Sequence, residues 1–136
     1  MDNKIHFQVA TAGGSVFDEM VSYVSAPLAD GDAGFMAGHA PMLAALKEGV
    51  IKCTFDDETK YIAISGGVLS VANNELIILA RSAELGENID ILRAREAETR
   101  ARQHLERKAE DLDYKRAELA LHRAQVREKA YALSHK

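Results

Sequence analysis

Four arginines in the last 50 residues have the charge and spacing to hold an anion. Arg123 and Arg127 lie four residues apart, and Arg93 and Arg100 lie seven apart. On a helix each pair would share one face, where like charges repel by about 0.2 to 0.5 kcal/mol unless a negative group lies between them. An anion would relieve this repulsion, and a polyphosphate is one candidate, because arginine presents several N–H donors in a planar fork that matches phosphate oxygens.

A second interpretation of the same arginines needs no ligand. Glu96 lies between Arg93 and Arg100 and could neutralise both of them, and Glu98 precedes Arg102 by four residues. A solvated helix face with internal ion pairs, Glu96 with Arg100 and Glu98 with Arg102, would account for these residues as well. Spacing alone leaves both interpretations open.

The other reactive side chains do not suggest catalysis. The five histidines lack metal-ligand spacing, and the single cysteine has no CxxC partner. The strands lack the clustered histidine and carboxylate ligands of a cupin oxygenase, and no GxxxxGK[ST] loop for nucleotide hydrolysis is present. We therefore expect a non-catalytic protein without a metal site or a catalytic cofactor.

Composition indicates the cellular compartment of the chain and argues against nucleic acid as a partner. The lone Cys53 cannot form an internal disulfide, and no secretory leader or apolar run of about 20 residues is present, so a cytoplasmic protein is expected. Residues 1–86 contain five Lys/Arg against eleven Asp/Glu, and residues 87–136 contain twelve against ten. Because the basic residues of the second half alternate with acids, nucleic-acid binding is not expected.

The positions of glycine and proline divide the chain into two parts. All nine glycines and both prolines lie in residues 1–86, and residues 87–136 contain neither. The first part predicts a β-domain of about nine short strands, a sandwich or a barrel, because alternating apolar residues are separated by turn residues. The strands are predicted at Ile5–Val9, Val16–Phe17, Val21–Ala26, Gly34–Met36, Met42–Leu46, Val50–Phe55, Tyr61–Ser65, Val68–Val71 and Leu76–Ala80.

The turns between these strands are predicted from residues that tolerate a left-handed backbone. They are Ala12-Gly13-Gly14-Ser15, Asp30-Gly31-Asp32, Glu48-Gly49, Asp56-Asp57, Gly66-Gly67 and Asn73-Asn74.

The second part has helical spacing, with apolar residues recurring at intervals of three and four from Ile89 onward. Asn88 or Asp90 could cap the first helix, and Asp111 or Asp113 could cap a second one. Many of the apolar positions are alanines, which allow close helix packing but bury little surface. Without Gly or Pro in the connection, this pattern is compatible with a hairpin or with one continuous helix.

Four segments carry a resemblance to a known family. GDAGFMAGHAPMLAALKEGVIK, YIAISGGVLSVANNELIILARSAE and NIDILRAREAE, followed by DLDYKRAELALHRAQ, resemble the epsilon subunit of bacterial F-type ATP synthases from Ile5 to about Arg127. The resemblance implies an α+β fold, with a ten-stranded β-sandwich in residues 1–86 and an antiparallel two-helix hairpin in residues 87–136. It also implies a rotor subunit of the proton-translocating enzyme, peripheral on the cytoplasmic face of the cell membrane.

Some bacterial members of that family have a nucleotide-binding pattern that this sequence resembles. The motif IDxxRA is filled by Ile89, Asp90, Arg93 and Ala94. The remaining positions of the pattern are filled by Glu84, Arg100, Arg123 and Arg127. The resemblance implies that these eight residues bind ATP as a regulatory ligand.

The resemblance also implies the partners. The sandwich would bind the gamma subunit and the ring of c subunits, with Asp32 and His39 of the GHAP neighbourhood at the c-ring contact. The hairpin would restrain ATP hydrolysis when it extends among the alpha and beta subunits, and bound ATP would hold it folded. The chain would meet the membrane only through this complex.

A different class of function remains as the alternative. A β-domain with a helical arm could be a free-standing adaptor or chaperone-like module that grips client proteins. Such a module would need exposed apolar residues at the tip of its arm, whereas Glu106 to Asp113 is almost entirely charged.

Overall fold

The computed structural model describes residues 3–107 and 111–136, the latter without the side chains of residues 111 and 112. These residues form eight β-strands, a single 3-10 turn at Gly86–Asn88 and two α-helices. The strands are β1 Ile5–Thr11, β2 Gly14–Val21, β3 Tyr23–Leu28, β4 Gly31–Phe35, β5 Met42–Phe55, β6 Glu58–Ala72, β7 Glu75–Ala80 and β8 Ala83–Leu85. The helices are α1 Ile91–Glu106 and α2 Asp111–Ser134.

The strands form one sheet that folds into two layers. Its order is β2-β1-β7-β6-β5-β3-β4, and β8 pairs with β6. The first half of β5 and the second half of β6 lie with β7, β1 and β2, and the other halves lie with β3, β4 and β8. The two long strands therefore connect both layers of a β-sandwich.

The number of strands differs from the ten that the family resemblance implies and from the nine of the strand pattern. Eight strands are present in the described residues. β5 continues through the predicted turn at Glu48-Gly49, β6 continues through Gly66-Gly67, and the three-residue strand β8 was missed. The α+β class and the sandwich agree with the prediction.

Close packing explains the glycines inside the long strands. A Cβ on Gly67 would lie 2.1 Å from the Leu79 oxygen of β7, and Gly67 also has a φ of 151°. A Cβ on Gly49 would lie 3.0 Å from the Pro27 ring of β3. These glycines let neighbouring strands approach, so their presence indicates close contact here and not a turn.

Alternation along the strands builds a single core between the layers. Ile5, Phe7 and Val9 of β1 are fully buried, as the period of two predicts. Phe17 of β2 packs against Phe7 and against Phe55 of β5, with ring centroids 5.5 and 6.2 Å apart. The core thus joins strands from both layers.

The two helices form an antiparallel hairpin, which resolves the alternative of one continuous helix. Asp90 caps α1, because its carboxylate accepts the backbone N–H of Arg93 at 3.1 Å. The connection at residues 108–110, in the middle of the charged tip, lies outside the described residues. Asp113 lies inside α2 and therefore does not cap it.

Small side chains set how the hairpin packs. Ala94 and Ala101 of α1 and Ala117 and Ala124 of α2 are buried at seven-residue intervals. Since burying each methyl group contributes only about 0.8 kcal/mol, the two helices approach closely but hold each other weakly.

In the described part of the chain, α2 docks on the sandwich with an apolar face. Val126 and Ala130 pack with Ala63 of β6 and with Ile89, and Val50 and Tyr131 flank this cluster. At the end of α2, the Ala130 oxygen and the Ser134 hydroxyl lie against Gly86. The hairpin is therefore attached through the C-terminal half of α2, and α1 lies on its outer side.

Candidate functional site: an arginine-lined groove in the hairpin

A groove of about 750 Å³ runs between α1 and α2. The alanines that let the helices approach also leave this space, because their side chains do not fill it. Its volume falls within the roughly 300 to 1,000 Å³ of small-molecule sites. The lining residues are Ala97, Arg100, Ala101, His104, Asp113, Arg116, Ala117, Leu119, Ala120, Arg123, Ala124 and Arg127. We call this space the interhelical groove.

The charge of the interhelical groove is strongly positive. Arg100, Arg116, Arg123 and Arg127 line it, against a single carboxylate from Asp113. Among the described residues, only Arg127 of these four makes an ion pair. The other three guanidiniums line an apolar floor and make no ion pair in the described part of the chain, an arrangement suited to a phosphate-bearing ligand.

Arg127 links the groove to the sandwich. Its Nε donates to Oε1 of Glu84 at 2.7 Å, and its second guanidinium nitrogen donates to Oε2 at 3.3 Å. The contact joins α2 to β8, and both side chains are only partly buried. Glu84, Arg123 and Arg127 also line a smaller adjoining cavity of about 40 Å³.

The structure thus brings four of the eight predicted ATP-binding residues together. Arg100, Arg123 and Arg127 line the groove, and Glu84 reaches it through Arg127. The predicted ion pair of Glu98 with Arg102 is present, with an N–O distance of 2.8 Å. The predicted pair of Glu96 with Arg100 is not among the ion pairs of the described residues.

The four residues of the IDxxRA motif lie outside the groove lining. Ile89 is buried against α2, Ala94 is buried in the helix interface, and Asp90 caps α1. Arg93 is exposed. In this structure the motif starts α1 and packs it, which positions the arginines further along the helix.

Two basic side chains of the groove were not predicted from the sequence. Arg116 precedes Arg123 by seven residues, and His104 follows Arg100 by four. Both spacings put the side chains on the helix faces that already carry predicted arginines. Extending the periodicity by one step in each helix would have found them.

Of the two residues predicted for the c-ring contact, Asp32 lies in β4 and His39 follows this strand. Asp32 is exposed near the start of the strand. It lines a second cavity, of about 390 Å³, with His122 and Lys129 of α2. His39 follows the strand, where its ring packs on Phe35 with centroids 4.9 Å apart and its Nδ1 donates to the Ala40 carbonyl. No hydrogen bond joins Asp32 to His39 in the part of the chain that the structure describes.

Few polar contacts hold the hairpin on the sandwich. Besides Arg127 with Glu84, His122 of α2 hydrogen-bonds Glu48 of β5. Both contacts are partly exposed, and exposed ion pairs contribute only about 0 to 1 kcal/mol. Together with the small apolar cluster, these contacts suit reversible docking.

Features of other functional classes are not found in the described residues. Over residues 3–107 and 111–136, no cluster of three metal-ligating side chains is present. In the same ranges, neither helix is long and apolar enough to cross a membrane. Burial raises the pKa of the Cys53 thiol to about 11, so this cysteine is protonated and unreactive near neutral pH.

Comparisons with solved structures support the fold. A chain of the Euglena gracilis mitochondrial ATP synthase, in an OSCP/F1/c-ring structure, has a TM-score of 0.81 at 20% identity, covering 98% of this chain and 83% of that one. A chain of the central stalk and c-ring structure of the Tetrahymena thermophila mitochondrial ATP synthase has a TM-score of 0.65 at 18% identity, covering 96% and 98%.

Comparisons of sequence show the family. The family models "ATP synthase, Delta/Epsilon chain, beta-sandwich domain" and "long alpha-helix domain" match residues 4–86 and 87–131. An ATP synthase epsilon chain of Desulforamulus reducens is 42% identical over 85% of this chain and 87% of its own. One of Nitratidesulfovibrio vulgaris is 39% identical over 93% and 95%. Two matching family models and these bacterial relatives show that the chain belongs to the ATP synthase delta/epsilon family, as a non-catalytic epsilon chain.

Proposed function

We propose that this chain is a rotor component of the central stalk of a proton-translocating F-type ATP synthase, and that ATP in the interhelical groove holds its hairpin folded. Extended, the hairpin would reach the alpha and beta subunits and inhibit ATP hydrolysis. The observation that carries the ATP part is the convergence of Arg100, Arg116, Arg123 and Arg127 on one groove.

The groove offers both kinds of contact that a nucleotide needs. A triphosphate would be held by guanidiniums, which form charge-assisted hydrogen bonds with phosphate oxygens. The alanine floor and the half-exposed Leu119 offer apolar surface to a base. ATP would serve as a regulatory ligand, since hydrolysis belongs to other subunits of the enzyme.

The switch between the folded and extended hairpin depends on two partners competing for the same arginines. The guanidiniums that hold ATP in the folded hairpin would meet acidic surfaces of the alpha and beta subunits in the extended one. Because one guanidinium cannot serve both partners, ATP shifts the population toward the folded form, by no more than its differential affinity for the two forms. Because few polar contacts hold α2 on the sandwich, the free energy difference between the two forms is small enough for one ligand to shift the equilibrium.

The outer face of the sandwich supports the proposed attachment to the gamma subunit. Val68 of β6 pairs with Leu79 of β7 and with Ala45 of β5, and Leu43 lies on the same side of β5. Leu43, Val68 and Leu79 are 77%, 47% and 55% exposed. Contiguous exposed apolar side chains are typical of a surface that a partner covers.

For the c ring, the family resemblance assigns Asp32 and His39. Attachment of the sandwich to this ring and to the gamma subunit would hold the chain at the cytoplasmic face of the membrane as a peripheral component. Affinity purification from membranes tests this assignment. Recovery with gamma, c, alpha and beta subunits supports it, and recovery with a mixed set of clients would favour the adaptor alternative.

Titration of the full chain with ATP, ADP and GTP tests the nucleotide site. The readout is energy transfer between a dye on the sandwich at Leu43 and one on α1 at Leu92, both exposed side chains. We expect ATP to raise the transfer efficiency, and Arg123→Ala with Arg127→Ala to abolish this response.

The matched control variant also loses two positive charges, but at positions outside the groove. Arg81→Ala with Arg107→Ala deletes two exposed arginines that do not line the groove. This variant should respond to ATP like the unaltered chain. Equal responses of the two double variants would overturn the proposed site.

A further inference from the structure

Two carboxyl groups face each other across the hairpin, one from each helix. Glu98 of α1 and Glu128 of α2 lie within hydrogen-bonding reach of one another. Oε2 of Glu128 is buried and has no hydrogen-bond partner among the described residues. We call Glu98 and Glu128 the carboxyl pair; neither residue lines the interhelical groove.

Protonation of Glu128 would turn this contact between two carboxyl groups into a favourable one. Two ionised carboxylates offer only acceptors to each other, whereas a protonated carboxyl group can donate to a carboxylate. Glu98 is the natural acceptor, because it already receives two hydrogen bonds from the Arg102 guanidinium, at 2.8 and 3.2 Å. Protonation of Glu128 thus turns a contact between two acceptors into a hydrogen bond.

The surrounding charges agree with this assignment. The Arg102 hydrogen bond, followed by the contact with Glu128, lowers the pKa of Glu98 below its ordinary value of 4.5. Burial, followed by the hydrogen bond with Glu98, raises the pKa of Glu128 above 4.5. Arg95 and Arg102 of α1 oppose the rise, and Gln125 of α2 also contacts Glu98.

We propose that the carboxyl pair is a proton-dependent latch, in which one proton shared by Glu98 and Glu128 stabilises the closed hairpin and its loss favours opening. The pair exists only when α1 packs on α2, so opening separates the two carboxyl groups. The latch is distinct from the nucleotide groove and acts without ATP.

The direction of the pH response follows from linkage. The closed hairpin binds the Glu128 proton more tightly than the open one, so this stabilisation is complete below the ordinary glutamate pKa and is lost as pH rises through the raised pKa of Glu128. The contribution of Glu98 is present above its ordinary pKa and is lost as pH falls through its lowered pKa. The closed fraction therefore has its maximum between the two values. If opening exposes the inhibitory arm, as in the proposed function, alkaline conditions favour inhibition.

Spin labels on the two helices of the full chain test the latch without nucleotide. Leu92 of α1 and Lys129 of α2 are exposed labelling sites, and the buried Cys53 does not compete for the reagent. We expect the closed fraction to fall as pH rises from about 5 to about 8. In Glu128→Gln the amide N–H donates to Glu98 in place of the proton, so the hairpin should stay closed over the whole range.

Two further variants make the result specific. Glu98→Gln should also remain closed at high pH, because its amide donates to the Glu128 carboxylate. Glu96→Gln removes an exposed carboxylate of the same helix and should keep the pH profile of the unaltered chain. A Glu128→Gln profile that matches the unaltered chain would overturn the latch.

A direct titration keeps the test independent of how the variants fold. Carbon-13 NMR of the unaltered chain should show the Glu128 carboxyl titrating above the ordinary glutamate pKa and Glu98 below it. Titration of Glu128 at or below the ordinary value would refute the latch, whatever the hairpin does with ATP.

Discussion

Gly86 is the position at which one methyl group should release the hairpin. This residue lies in the 3-10 turn before α1, where the end of α2 passes over it. A Cβ at this position would lie 2.1 Å from the Ser134 hydroxyl, 2.5 Å from the Ala130 oxygen and 3.0 Å from the Ala130 carbonyl carbon. Because the backbone of Ala130 cannot rotate away, Gly86→Ala must move α2 off the sandwich or displace the turn.

The expected size of the effect follows from this overlap. Inserting a methyl group into a packed contact costs about 1 to 3 kcal/mol. The displaced segment also carries the docking cluster of Val126, Ala130 and Ile89, which packs on Ala63. An energy of this size lowers the equilibrium constant for docking by about 5- to 150-fold. The cost falls on the docked hairpin, since the core of the sandwich is a separate cluster of residues.

Native-state hydrogen exchange separates the two effects. In Gly86→Ala the amides of α2 should lose protection by this factor, while those of β1 and β7 keep theirs. Gly13→Ala is the matched control, because a Cβ there would meet only the Thr11 hydroxyl, at an ordinary 3.5 Å. Unchanged protection of α2 in Gly86→Ala would refute the docking described above, and so would equal losses in both variants.

Three further outcomes are expected. Asp90→Ala should destabilise the start of α1 by about 1 kcal/mol, seen as faster exchange of the Arg93 amide, whereas Asp90→Asn should retain most of the cap; equal effects of both changes would contradict the capping role. Cys53 should resist thiol reagents at about pH 8 in the folded chain and react on denaturation, and the stability that its neutral thiol provides should be lost as pH rises through a pKa of about 11; rapid native labelling would contradict its burial. A double-mutant cycle of Arg127→Met with Glu84→Gln should give a coupling energy of about 0.2 to 1 kcal/mol that shrinks in high salt, and a salt-independent value would argue against a partly exposed ion pair.

Local patterns in the sequence predicted much of the architecture. The alternation of Ile5, Phe7 and Val9 identified β1 and its buried face, because alternate side chains of a β-strand point to the same face of the sheet. The absence of glycine and proline after residue 86 identified the helical part. The resemblance to the family added the hairpin, which spacing alone could not separate from one long helix.

The errors have a common physical origin in tertiary packing. Gly49 and Gly67 were interpreted as turn residues, although they lie inside strands where a neighbouring strand leaves no room for a side chain. The strand β8 contains only three residues, too few for alternation to be recognised. Sequence reasoning treats glycine as conformational freedom, whereas these positions use its small size.

The candidate site was predicted only in part, because some of its contacts depend on how the two helices pack together. Arg123 and Arg127 were assigned from the family pattern, and their spacing of four on one helix agreed with that assignment. The carboxyl pair of Glu98 and Glu128 was not found, since its two residues lie on different helices and meet only when the hairpin closes. Contacts between helices depend on the register of packing, which no spacing within one helix reveals.

We propose above all that ATP binds between the two helices through their arginines. The most direct test is an NMR titration of the arginine Nε–H signals of the full chain with ATP. We expect large shifts for Arg100, Arg116, Arg123 and Arg127 and none for Arg81 and Arg107. Shifts that are equally small at all six positions, or largest outside the groove, would contradict it.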